Sequence, residues 1–150
     1  MGLFLLKGTQ VFGATRVKKI EHIGIAVKDI EASNKVFIKI FGKESYKSES
    51  VESESVMTSF FQVGESKIEL VAATNLTSSI AKYLEKNTDG MHHIAFEVDD
   101  IKVEMKRLES EGIRTLNDQP KKGADNKLIC FLHPKDTNGV LIELCQEIEK

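Results

Sequence analysis

Two stretches of this chain are copies of one another, and that repetition limits the folds open to it more than any other feature. Ile23-Gly-Ile-Ala-Val-Lys-Asp-Ile30 lies over Ile94-Ala-Phe-Glu-Val-Asp-Asp-Ile101 at a constant offset of 71, each block preceded by a histidine, His22 or His93. A second match pairs Ile68-Glu69-Leu70 with Ile142-Glu143-Leu144 at an offset of 74, so the copies differ by a few loop residues. Such self-similarity marks one supersecondary unit used more than once. A chain of 150 residues can build one well-buried core, or two half-sized units that share one. The repeat selects the second.

Each copy reads alike. Apolar residues alternate at period two (Ile23, Ile25, Val27; then Ile94, Phe96, Val98), which predicts a strand. Asp29 or Asp100 follows where an N-cap belongs, and helical spacing comes next: Val36, Phe37, Ile40 and Phe41, or Ile101, Met105 and Leu108. Gly42 and Gly112 stand at the expected helix stops. Three shorter β segments complete each unit. The last two are predicted at Val56–Val63 and Lys67–Ala72 in the first copy, and at Lys127–His133 and Gly139–Cys145 in the second. Between the copies, Ser79–Asn87 reads as a short amphipathic helix with Ile80 and Leu84 on its apolar side. The expected class is α+β: two tandem βαβββ modules forming one curved, mostly antiparallel sheet. The domain runs over about 19–147, with module one at about 19–74, the linker helix at about 77–88 and module two at about 90–147.

Strand alternation puts His22, Gly24 and Ala26 on one face, with His93, Ala95 and Glu97 on the corresponding face of the second copy. Histidine followed by small residues leaves space beside the imidazole, as a ligand pocket requires. Glu69 and Glu143 sit within apolar strands, where an ionised carboxylate is costly unless paired or metal-bound. Singly, each residue has a plainer explanation: a strand histidine is usually a surface or core residue, and a strand glutamate can face water. The same residue types at the same place in both copies change that balance. A pseudo-twofold axis would bring His22, Glu69, His93 and Glu143 to one divalent ion, leaving room in six-coordination for water or substrate. The absence of thiolates argues against structural zinc. Only His93 of the His92-His93 doublet aligns with His22, so His92 is expected to point to the opposite face.

Composition closes other routes. A hydrophobic fraction of 41% and a charged fraction of 29% are those of an ordinary soluble globular protein. A net charge of -2 gives no reason to expect nucleic acid or an anionic membrane as partner. Cys130 and Cys145 follow no metal or disulfide spacing and read as reduced thiols inside strands of an intracellular protein. Residues 1–18 form a leader outside the domain. They lack a secretory pattern, so the chain is expected in the cytoplasm; Lys7, Arg16, Lys18 and Lys19, with no acid before Glu21, leave a mitochondrial transit peptide as the alternative.

The chain resembles the vicinal oxygen chelate superfamily and, within it, the methylmalonyl-CoA epimerases. The resemblance rests on Glu21-His22-Ile-Gly-Ile-Ala-Val27, Lys67-Ile-Glu69-Leu70, Gly90-Met-His-His93-Ile94, Phe131-Leu-His-Pro-Lys135 and Gly139-Val-Leu-Ile-Glu143-Leu144. It implies interconversion of the 2R and 2S forms of methylmalonyl-CoA by a homodimer that uses one divalent ion, such as cobalt or manganese, per chain. His22, Glu69, His93 and Glu143 match the family's ligand positions, and Glu143 also serves there in proton transfer. The opposing acid/base falls in Val51-Glu52-Ser53-Glu54-Ser55. An ungapped count selects Glu52, and a shift by two selects Glu54. Lys121, Lys122 and Lys135 are candidates for holding CoA phosphates. Two alternatives share the fold: a glyoxalase I-type lyase, and a metal-free binding protein, whose relatives usually lose the ligand quartet.

Overall fold

Asp29 and Asp100 start the two long helices in the same way. Each aspartate is extended and accepts a hydrogen bond from a first-turn amide, Ala32 N at 3.0 Å and Val103 N at 3.1 Å, satisfying a donor the helix leaves free. The first helix ends at Gly42 (φ 70°), whose amide closes on Ile38 O; the second ends before Gly112 (φ 85°). The computed structural model describes residues 17–149. In chain order these are β1 (Val17–Ala26), α1 (Ile30–Phe41), β2 (Lys47–Val51), β3 (Val56–Val63), β4 (Ser66–Ala73) and α2 (Ser79–Lys86). Then follow β5 (Gly90–Val98), α3 (Ile101–Ser110), β6 (Lys121–Lys122), β7 (Lys127–Phe131) and β8 (Ile142–Glu147).

All eight strands form one curled sheet in the order β2-β3-β4-β1-β5-β8-β7-β6. That order reads the same from either end once the modules are exchanged, so the repeat in sequence is a pseudo-twofold in space. Five of the pairings are antiparallel, including the β1–β5 seam between modules. The remaining two, β1 with β4 and β5 with β8, are parallel, because each module's last strand returns beside its first. The mostly antiparallel α+β sheet expected from the sequence is the observed one.

One face of the sheet is covered by helices. Ile30, Phe37, Ile38 and Phe41 of α1 pack over Val27, Phe61 and Leu70, while Ile101, Met105 and Leu108 of α3 pack over Val98, Cys130, Leu132 and Leu144. Phe61, Leu70 and Ile101 are essentially sealed from water, each worth roughly 1.5–3 kcal/mol of burial. The linker helix α2 closes one end of the other face, with Ile80 against Ala26, Val56 and Val71. Cys130 and Cys145 are buried and unpaired. No helix among the described residues is long and apolar enough to cross a membrane.

Some boundaries differ from expectation. β1 begins at Val17, where Val17 pairs with Val98 and Lys18 reaches Glu97 and Asp99, so Val17 and Lys18 are strand residues and not leader. The remainder of the proposed leader, 1–16, lies outside the described residues. β7 stops at Phe131 because His133-Pro134 turns the chain into a 3-10 turn, and Pro134 has no amide to donate.

Candidate metal centre

Strand register determines which side chains meet. Across β4, β1 and β5, Glu69, Gly24 and His93 lie in one row; across β1, β5 and β8, His22, Ala95 and Glu143 lie in the next. Residues paired across strands project to the same side, as do His22 and Gly24, two apart on β1. The four polar side chains therefore rise from the four central strands on the face away from α1 and α3. Gly24 and Ala95 occupy the middle of the rows, and their small size leaves the space between. A Cβ on Gly24 would lie 2.0 Å from Cε1 of His93, so only glycine lets that ring lie over the strand.

All four residues are buried, at 4–7% exposure. The Nε2 atoms of His22 and His93 are 3.0 Å apart. His22 Nε2 lies 3.9 Å from both Glu69 and Glu143, and His93 Nε2 lies 3.7 Å and 3.5 Å from them. Two atoms bound to one ion at about 2.1 Å can be no more than about 4.2 Å apart. Each of these separations passes that test. His22, Glu69 and His93 each offer one donor atom within 4.8 Å of the others, and Glu143 faces them from β8. Two imidazoles and two carboxylates suit a divalent ion that accepts nitrogen and oxygen.

Burial and the neighbouring ionisable groups shift the titration of all four residues. Burial disfavours a charged His22, but Glu69, Glu143 and Glu21 outweigh it and lift the imidazole to about 9. Burial holds His93 well below the ordinary histidine value, with His22 and His92 adding to the effect. Burial likewise raises Glu69, and it raises Glu143 to about 7. His22 and Glu143 both have folded values above their unfolded ones. Their protons thus stabilise the metal-free fold at low pH, and that contribution fades as pH rises through about 7 and about 9. A divalent ion bound by these residues would displace these protons. The melting-temperature gain on adding a divalent metal is therefore expected to widen between about pH 5 and pH 9. A gain that shrinks over that range would contradict proton–metal exchange at this site.

Two bulges supply partners that strict alternation hides. β1 spends Ile20, Glu21 and His22 where β5 spends only Phe96 and Ala95, so Glu21 is the extra residue and turns to the side of His22. Its Oε1 lies 3.2 Å from His22 Nδ1. A matching shift makes His92 the extra residue of β5, and its Nδ1 lies 3.0 Å from His93 Nδ1. His92 therefore does not point to the opposite face: it lines the same cavity, edge-on to Tyr83. These contacts occupy Nδ1 of each ligand candidate and leave Nε2 for the centre, the usual outer support of metal-binding histidines. Phe60 and Phe131 add edge-to-face walls against His22 and His93. Their spacing, again 71, is a signal the sequence offered.

The cavity encloses about 640 Å³ including its open mouth. Glu54, in the 3-10 turn Glu52–Glu54, lines it; Glu52 in the same turn is exposed and does not. Lys121 contacts Glu54 Oε1 at 2.5 Å. Lys122 is exposed on β6, and Lys135 is exposed in the turn Pro134–Asp136; neither lines the cavity.

Comparison with known proteins agrees with this geometry. Residues 21–131 match the Glyoxalase/Bleomycin resistance protein/Dioxygenase superfamily. The chain is 37% identical to the human mitochondrial methylmalonyl-CoA epimerase, over 91% of this chain and 79% of that protein. It is 39% identical to an ethylmalonyl-CoA/methylmalonyl-CoA epimerase of Cereibacter sphaeroides, over 87% of this chain and 98% of that protein. A solved methylmalonyl-CoA epimerase in complex with methylmalonyl-CoA and NH4+ superposes with a TM-score of 0.84 at 34% identity, covering 87% of this chain and 95% of that one. The curled sheet, the repeated module and these matches together show that the chain belongs to the methylmalonyl-CoA epimerase family within that superfamily.

Proposed function

We propose that this protein interconverts the 2R and 2S epimers of methylmalonyl-CoA. The observation that carries the reading is a single cavity lined by a buried carboxylate, Glu143, by a second carboxylate, Glu54, and by both His22 and His93. Carbon 2 of the substrate lies between a thioester and a carboxylate, so its proton is acidic once the resulting enolate is stabilised. A divalent ion held by His22, Glu69, His93 and Glu143 would supply that stabilisation as a Lewis acid. The mixed nitrogen and oxygen donors fit cobalt or manganese.

Inversion needs two groups on opposite faces of carbon 2. In one direction Glu143 as carboxylate takes the proton, and the carboxylic acid of Glu54 returns one to the other face. The reverse reaction exchanges the roles. Glu143 stands on β8 and Glu54 in the turn after β2, and both line the cavity, so this reading puts carbon 2 between them. Lys121 is placed to hold the Glu54 carboxylate.

Glu54→Gln is expected to slow epimerisation by roughly 10²–10⁴-fold, the range for loss of a general acid/base, while Glu52→Gln stays near wild type. Chiral analysis of the CoA thioester checks this. The opposite ranking would move the role to Glu52, and two active variants would end the two-carboxylate mechanism. The quartet and the epimerase matches favour this reading over a metal-free binding protein. A lyase would instead turn over the hemithioacetal of methylglyoxal and glutathione. We further propose a homodimer, located in the cytoplasm or, should residues 1–16 serve as a transit peptide, in the mitochondrial matrix.

A further inference from the structure

The turn between β6 and β7 belongs to module two, yet module one holds it. Asp125 and Asn126 both take φ 56°, a left-handed conformation that aspartate and asparagine tolerate better than other side chains but still at some cost. What fixes it is a ring of contacts from residues distant in sequence. The Asp125 carboxylate accepts from Tyr46 Oη at 3.1 Å, Lys47 Nζ at 3.2 Å and Lys67 Nζ at 2.7 Å, and the Asp125 amide donates to Glu49 Oε2 at 2.7 Å.

One of these contacts leads further. Lys67 Nζ also lies 3.1 Å from Glu21 Oε2, and Glu21 Oε1 lies 3.2 Å from His22 Nδ1. Glu21 is 1% exposed, so its carboxylate depends on Lys67 and His22 for compensation. Lys67 in turn has two anions to satisfy, and one of them is Asp125. The line runs unbroken from the turn at the cavity wall to the back of the imidazole, whereas the Nδ1 partner of His93 is His92.

We propose that Asp125 is a positioning residue for His22, acting through Lys67 and Glu21, so that the β6–β7 turn of one module sets the metal ligand of the other. Tyr46, Lys47 and Glu49 also hold the turn. The Lys67–Glu21 link is what couples it to the centre. This rests on the metal reading above, but its test does not use turnover.

The test is the affinity for cobalt(II), measured by chelator competition on the full chain, with melting temperatures recorded alongside. Asp125→Asn keeps a side chain that tolerates the turn and removes the charge; Lys67→Met removes the link. Each is expected to weaken cobalt binding about tenfold or more, the size seen for outer supports of metal ligands. The double variant should bind no more weakly than Lys67→Met alone, because both act along one line. Asn126→Gly, which tolerates the left-handed turn and removes its side-chain bond to Ile148 O without touching the line, should leave cobalt affinity within about twofold. Should Lys67→Met fail to fold, Lys67→Gln takes its place in the same comparison. Wild-type affinity in Asp125→Asn, or losses that multiply in the double variant, would overturn the proposal. A wild-type protein that binds no cobalt would overturn the metal reading itself, and the proposal with it.

Discussion

Glu143→Gln is expected to lower proton exchange at carbon 2 of methylmalonyl-CoA by roughly 10²–10⁴-fold, even at saturating metal. The amide keeps the shape and one oxygen donor but has no basic carboxylate. Glu143 is buried at 5% exposure, 3.5 Å from His93 Nε2 and 3.9 Å from His22 Nε2. Without metal, burial raises its carboxyl to about 7. Metal content should be measured on the same preparation. Retained metal with lost exchange separates the proton-transfer role from the ligand role. Full exchange in this variant would remove Glu143 from the chemistry.

Gly24→Ala is the smallest substitution expected to disable the centre. The added Cβ would stand 2.0 Å from Cε1, 2.4 Å from Nδ1 and 2.6 Å from Nε2 of His93. The ring has nowhere near to go, since His22, His92 and Phe131 surround it with centroids 5.1, 5.2 and 5.9 Å away. His93 would have to leave its rotamer or β1 would have to shift, at a cost of about 1–3 kcal/mol. Gly24 lies in a paired strand stretch, so the backbone itself would accept alanine. The expected result is a folded protein that melts lower and binds cobalt more than about 100-fold more weakly, beyond the 10–100-fold typical of losing an outer support. Wild-type cobalt affinity in this variant would show that His93 is not held where the centre needs it.

Much of this was legible in the sequence because it depends on local rules applied twice. Asp29 and Asp100 announce the helices through capping chemistry, and the offset of His22 and His93 announces the pseudo-twofold. Glu69 and Glu143 stood out as carboxylates inside apolar strands, a pattern that is costly without a partner. Glu21 and His92 were hidden for a physical reason. Each is the extra residue of a β-bulge, and period-two alternation assigns such a residue to the wrong face. The choice between Glu52 and Glu54 depended on a 3-10 turn that no alternation describes. Asp125 was out of reach altogether: its partners Tyr46, Lys47 and Lys67 lie 79, 78 and 58 residues away, and only the closed sheet brings them together.

The most direct measurement is deuterium wash-in at carbon 2 of methylmalonyl-CoA in deuterated water, followed by NMR with metal-loaded and chelator-stripped protein. A metal-dependent epimerase incorporates label at carbon 2 and racemises the centre when loaded, loses both when stripped, and regains both when cobalt or manganese is restored. A loaded, folded protein that leaves carbon 2 unlabelled, or a stripped protein that labels it at the same rate, would contradict the proposed chemistry.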